Sequence, residues 1–264
     1  MTILVSTSTK KAWAFAALWA AAIFGSGAIA RAETDASRGV RVLHFAGYDW
    51  KVRPVGAGGP GPNQWNPANV WVDAQGRLHL KLTHQGGAWR CAEVSTTRSF
   101  GFGHYQFQVT GALDRLDPNV VLGLFNYPSP DIGPDGTNEI DIEYSRWGSP
   151  AALPASETIY PAHAGTPPTS HAFAMPPGLV DTTQQFVWQS GGIHFQCLRG
   201  HRDDDSNAYA HWAYLPADSL RCIPQRPLPV HINLWLVDGK APRDGKEVEI
   251  VIKRFSFHPS APAK

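Results

Sequence analysis

Basic runs are missing from this 264-residue chain: Lys and Arg never cluster beyond pairs. Without a basic face, nucleic acid drops out of the expected partners. Charge of either sign is sparse, at 17% of residues, so a polyanionic substrate would find no counter-surface. Cysteine is scarce and odd in number, at three, which excludes a full disulfide framework, and the spacings of Cys91, Cys197 and Cys222 resemble no zinc site. Amphipathic helices, internal repeats and a composition shift after Glu33 are absent as well. A helical bundle and a two-domain chain are both disfavoured.

What is present is 22 Pro, 25 Gly and 10 Trp, too many breakers for a helical fold. With 43% hydrophobic and 11% aromatic residues the chain can bury a core, and the Trp excess suits a protein that stacks on flat apolar faces such as sugar rings. Lys10 and Lys11 precede an apolar stretch from Ala12 to Ala30 that ends in Ala30-Arg31-Ala32. Such a start reads as a secretory signal over residues 1–32, with a single domain over 33–264. Gly25, Ser26, Gly27 and the A-x-A triplet fit a cleaved signal better than a membrane anchor. Loss of Lys10, Lys11 and Arg31 from 23 bases leaves 20 against 22 acids, a nearly neutral chain in a secreted or periplasmic setting. In that oxidising compartment Cys197 and Cys222 form the best disulfide pair, since each ends or follows an apolar strand-like run and the polar stretch 199–207 lies between them.

Short alternating runs recur from Val40 onward, bounded by Gly, Pro, Asn and Asp: 40–44, 70–73, 78–83, 104–110, 120–127, 139–144, 185–188, 193–197, 209–215, 230–237 and 247–258. Strands at this spacing predict an all-β sandwich or barrel. The long loops 56–63 and 162–169 are placed to wall a cleft.

The segment Asn138-Glu139-Ile140-Asp141-Ile142-Glu143-Tyr144 carries the chemistry. Period two puts Glu139, Asp141 and Glu143 on one face and Ile140, Ile142 and Tyr144 on the other. Three like charges in a row repel and would weaken a plain scaffold; a solvated edge strand is the alternative use of such a row. Two carboxyls on one face suit retaining glycoside hydrolysis, with one as nucleophile and one as acid then base. An acid between them would tune and orient them, its charge or shared proton raising a neighbour's pKa so that one Glu can be protonated at working pH.

This segment resembles the E-x-D-x-E active strand of glycoside hydrolase family 16. Further similarity lies in Asn69–Val72 with Gly76–Leu80, Phe102–Phe107, Val121–Phe125, Trp188-Gln189 with Ile193–Phe195, and Ile232-Asn233-Leu234-Trp235, which is similar to the family's M-N-L-W strand. The resemblance implies a β-jelly-roll of two curved antiparallel sheets, concanavalin A-like. It also implies Glu139 as nucleophile, Asp141 as auxiliary acid, Glu143 as general acid/base and Glu93 as a substrate contact. The chain departs from the pattern at Ser95, where an arginine is expected, at Gln196-Cys197, where D-G is usual, and at Asn138, where lichenases carry Asp. Its active strand has the regular form rather than the bulged one, which by resemblance goes with lichenases and xyloglucan enzymes and so with a β-1,4 or mixed-linkage glucan.

Phe125, Tyr127, Trp147 and Trp235 are candidate stacking platforms, with Trp65, Trp89 and Trp212 behind them. Asn233 shares a face with Trp235 and is a candidate for bonding a sugar hydroxyl. His104, His194 and His231 read as satisfied core or cleft-wall groups rather than ligands. No metal ligand set is assigned and no cofactor is expected, although the resemblance allows a structural calcium. The expected protein is a secreted, monomeric endo-β-glycanase whose partner is a neutral β-glucan, with no membrane contact after cleavage. A transglycosylase on the same residues and a non-catalytic, lectin-like glycan binder are the alternatives.

Overall fold

Alternation of apolar and polar residues, written along the sequence, becomes two packed antiparallel sheets in the computed structural model, which describes residues 39–260. The expected signal segment lies outside the described residues. The first sheet runs, edge to edge, Val42–Phe45, Tyr48–Val52, Ala92–Phe100, Leu228–Leu236, Val120–Asn126, Glu139–Tyr144, Ala155–Tyr160 and Thr169–Phe173. The second runs Ala208–Tyr214, Gly192–Arg199, Asp181–Gln189, Gly103–Thr110, Val248–Pro259, Leu78–Gln85 and Val70–Val72, with Ala88–Arg90 paired to Leu78–Gln85. Ala92–Phe100 and Leu228–Leu236 are neighbours in space although distant in sequence, a jelly-roll crossing that a simple meander cannot make. Helix is confined to Ser219–Cys222 and three short 3-10 turns among the described residues, and no helix there is long and apolar enough to cross a membrane.

The core lies between the sheets. Ile140, Ile142 and Tyr144, with Leu122, Leu124, Ile232, Leu234 and Val94, form its floor, and Tyr105, Phe107, Phe186, Phe195 and Phe255 form its roof, all essentially inaccessible. Aromatic packing ties the roof strands together, as in the Tyr105–Phe186 stack with ring centroids 4.6 Å apart. The final strand alternates as its sequence predicts, with Ile250 and Ile252 buried and Glu249 exposed.

Three sequence expectations are corrected here. Cys197 and Cys222 are not bridged, and all three cysteines are free. The reason is direction: the Cys197 side chain points between the sheets toward Glu157, 3.8 Å away, while Cys222 sits at the end of the Ser219–Cys222 turn beside Tyr214. Trp65 offers no open face for a ligand, and Trp89 and Trp212 are half-buried against neighbouring rings. Trp65 is buried under the Arg53 guanidinium at 4.0 Å, Trp89 packs on His84, and Trp212 stacks on Phe195 and His171. His104 is not satisfied, because its Nε2 is buried without a partner, and His194 is exposed.

Candidate active site

Glu139–Tyr144 pairs with Val120–Asn126 on one side and Ala155–Tyr160 on the other, both in unbroken register. The strand therefore has no bulge, and Glu139, Asp141 and Glu143 project together from the face turned away from the core. Asn138 enters the strand at φ 53°, a left-handed conformation that Asn tolerates better than most residues. Its backbone N–H donates to Pro161 O at 2.9 Å, and its side-chain amide donates to Thr137 Oγ1 and to Ala162 O, both at 3.2 Å. The loop after Tyr160 thus anchors the start of the acid strand. At the other end Trp147 also has positive φ, at 50°, with its N–H bonded to Ser145 Oγ.

Asp141 is buried, with 3% of its surface exposed, while Glu139 and Glu143 are half-buried. Burial pushes all three carboxyls up, Glu143 to about 7. Asp141 rises further through the charges of Glu139 and Glu143 and through its hydrogen bond to Glu139. That same bond opposes the rise that burial and the Glu143 charge impose on Glu139. Three carboxyls set this close on one strand face cannot all ionise freely, so they share protons as a group.

Cross-strand register extends two rows from the acids. Glu143 faces Gly123, which faces Asn233, which faces Glu93. Asp141 faces Phe125, which faces His231, which faces Ser95. Asn233 is buried and its Oδ1 has no partner, so an acceptor waits on the acid face. Phe125 lies 5.2 Å from the His231 ring, and Tyr127 stands edge-on to Phe125 at 6.0 Å with its hydroxyl donating to Asp135 Oδ1 at 2.6 Å. Trp235 and Trp147 meet edge to face at 6.1 Å. Their exposures differ: Trp235 is 7% exposed and Trp147 is 40% exposed. The open indole on this side is therefore Trp147, while Trp235, expected as a stacking platform, is buried.

Sequence reasoning overlooked Tyr160, Asp135 and Arg53. Tyr160 pairs with Glu139 and feels all three acids; the alternation Ser156, Thr158, Tyr160 was the available signal. Asp135 reaches the site only through the fold of the loop before Asn138, and its charge is felt at Glu139. Arg53 reaches Glu93 from just past the end of the neighbouring strand Tyr48–Val52, 40 residues away in sequence, at 2.5 Å, and no local pattern announces that contact. Among the described residues no group of three or more His, Cys, Asp or Glu side chains is arranged to hold a metal ion.

Two antiparallel sheets with a row of carboxyls on an outer face place the chain in the class of β-jelly-roll sandwiches. No family model matches the sequence, and no curated protein matches it. Solved structures do match. A prokaryotic β-1,3-1,4-glucanase (lichenase) from a mouse hindgut metagenome is 21% identical, with 80% of this chain and 93% of that chain covered at a TM-score of 0.59. The Bacillus licheniformis β-glucanase is 21% identical over 80% and 92% of the two chains, at 0.58. An immunostimulatory antigen and pseudo-β-1,3-glucanase of Mycobacterium tuberculosis is 18% identical over 80% and 91%, at 0.60. Identities this low establish the shared fold.

Proposed function

We propose that this chain is a retaining endo-β-glycanase of glycoside hydrolase family 16, exported after cleavage near Ala32, that acts on a neutral β-glucan. The observation that carries the reading is geometric: Glu139, Asp141 and Glu143 share one face of an unbroken strand inside the sheet, with Asp141 buried and both glutamates half-buried. A plain edge strand would leave its acids in water. These are drawn into low-dielectric surroundings, as acid–base chemistry near neutral pH requires.

In this mechanism Glu139, as its carboxylate, attacks the anomeric carbon. Glu143 gives its proton to the departing glycosidic oxygen. A glycosyl ester on Glu139 results, and Glu143, now a base, takes a proton from the water that cleaves it. Asp141 holds its proton toward the Glu139 carboxylate and lets go of part of that bond as the ester forms. Glu143 near 7 supplies an acid form at neutral pH without becoming too weak to reprotonate.

Substrate placement rests on the rest of the face. Gly123 leaves the floor beside Glu143 without a side chain, Asn233 offers an unpaired acceptor, and Trp147 offers an open apolar ring. A polymer that lies flat, with hydroxyls at its edge and apolar ring faces, fits those groups. The regular acid strand favours a β-1,4 or mixed-linkage glucan as first substrate. Digestion of lichenan, xyloglucan, laminarin, agarose and carboxymethylcellulose with product sizing tests the reading: oligosaccharides from a β-glucan are expected. Products larger than the starting chains would move the reading to transglycosylation, and no product from any glycan would return the chain to a binding role.

A further inference from the structure

The row that begins at Asp141 ends in a group whose hydrogen bonding is only half used. His231 Nδ1 lies 3.0 Å from Glu93 Oε1, and Arg53 Nη1 lies 2.5 Å from Glu93 Oε2. Burial works to raise the Glu93 carboxyl, but His231 and Arg53 outweigh it and hold the group below its ordinary range. An ionised carboxylate on Nδ1 makes that nitrogen the donor. Nε2 is then a bare acceptor in the neutral ring and a donor in the charged one.

Orientation is fixed as well as tautomer. The imidazole is tilted against Phe125 at 5.2 Å and stands edge-on to Tyr127 at 5.7 Å. Tyr127 is itself held by Asp135. Nε2 has no protein partner among the described residues, and the side chain keeps 17% of its surface open. The expectation that His231 is a satisfied wall group therefore holds for Nδ1 alone.

His231 stands two strands from the acid strand and level with Asp141, roughly 10 Å across the sheet. A group at that distance lies past the sugar under attack and reaches its neighbour. Two residues along the same strand and face, the unpaired Asn233 Oδ1 calls for a hydroxyl donor. A hydroxyl can also serve Nε2 in either charge state, which a carboxylate or an ammonium group cannot. We propose that His231 is a sugar-binding residue, oriented by Glu93, whose Nε2 shares a hydrogen bond with a hydroxyl of the sugar next to the one under attack. The inference rests on the glycan-cleft reading given above.

Calorimetry on a Glu139→Gln background separates the two. The probes are the tetrasaccharides of lichenan, cellulose and laminarin, and thermal melting is followed in parallel. In that background His231→Phe, which keeps a flat ring against Phe125 but has no Nε2, is expected to raise Kd about tenfold for the best probe. His231→Gln, which offers donor and acceptor again, should recover part of the loss at an unchanged Tm. Binding by the Phe variant within twofold of the background overturns the inference. So does a loss in both variants that follows a fall in Tm, which would make His231 a structural pin. A background that binds none of the three probes removes the glycan reading itself, and the inference falls with it.

Discussion

A Cβ on Gly123 would stand 2.5 Å from Asn233 Oδ1. Gly123 lies in register between Glu143 and Asn233, so the missing side chain lets the amide lie flat across the strand and keeps the floor next to Glu143 open. Gly123→Ala should push Asn233 aside while leaving the buried neighbours Leu122 and Leu124 in place. The expected result is a fall in kcat/KM of about 10–100-fold with Tm shifted by a few degrees at most. Steady-state kinetics with a parallel melt checks it, and unchanged kinetics would show that the amide's position does not matter.

The two indoles at the end of the acid strand should separate stability from binding. Trp235 is buried, with 7% exposure, on the face it shares with Asn233, whereas Trp147 is 40% exposed. Trp235→Ala is expected to cost about 3–5 kcal/mol of stability and to lower Tm sharply. Trp147→Ala should leave Tm nearly unchanged and raise KM, since it removes an open face and little buried area. Denaturant melts and KM for both variants decide the matter; a stable Trp235→Ala with high KM would reverse the roles.

Glu157 makes stability depend on pH. It sits wholly inside, on the face of Ala155–Tyr160 opposite the acids, with His171 Nδ1 3.1 Å from Oε2 and Cys197 Sγ near Oε1. Burial raises its pKa to about 8. For an acid whose pKa is higher folded than unfolded, the contribution is full below the unfolded value, near 4.5, and is lost as pH rises through the folded value. The loss amounts to as much as about 5 kcal/mol between pH 4.5 and 8. Glu157→Gln should flatten the decline of unfolding free energy across that window. The slope should not vanish, because burial raises Glu139, Asp141 and Glu143 in the same direction. Equal slopes in wild type and variant would place the titration elsewhere.

The acid strand was legible because it obeys a local rule. Period two assigned every side chain from Glu139 to Tyr144 to the face it occupies, and both strand ends agree with the structure. Tyr48–Val52, Ala92–Phe100, Ala155–Tyr160 and Thr169–Phe173 were not read as strands. Their Ser, Thr, Arg and Lys residues line the open side of the first sheet and thin out the apolar signal. Pairing was also beyond local pattern: Arg53, Glu93 and His231 meet because three strands distant in sequence lie side by side. The disulfide expectation failed for a related reason, since spacing along the chain does not say which way the Cys197 side chain points.

The most direct test compares wild type with Glu139→Gln and Glu143→Gln on the best glycan from the panel, with product release sized over time at matched folding. Wild type should release oligosaccharides, and each variant should lose at least about 10²–10⁴-fold in turnover while melting at or above the wild-type temperature, because each removes an ionisable group whose charge partial burial disfavours. Turnover near wild type in either variant would contradict the two-carboxyl assignment.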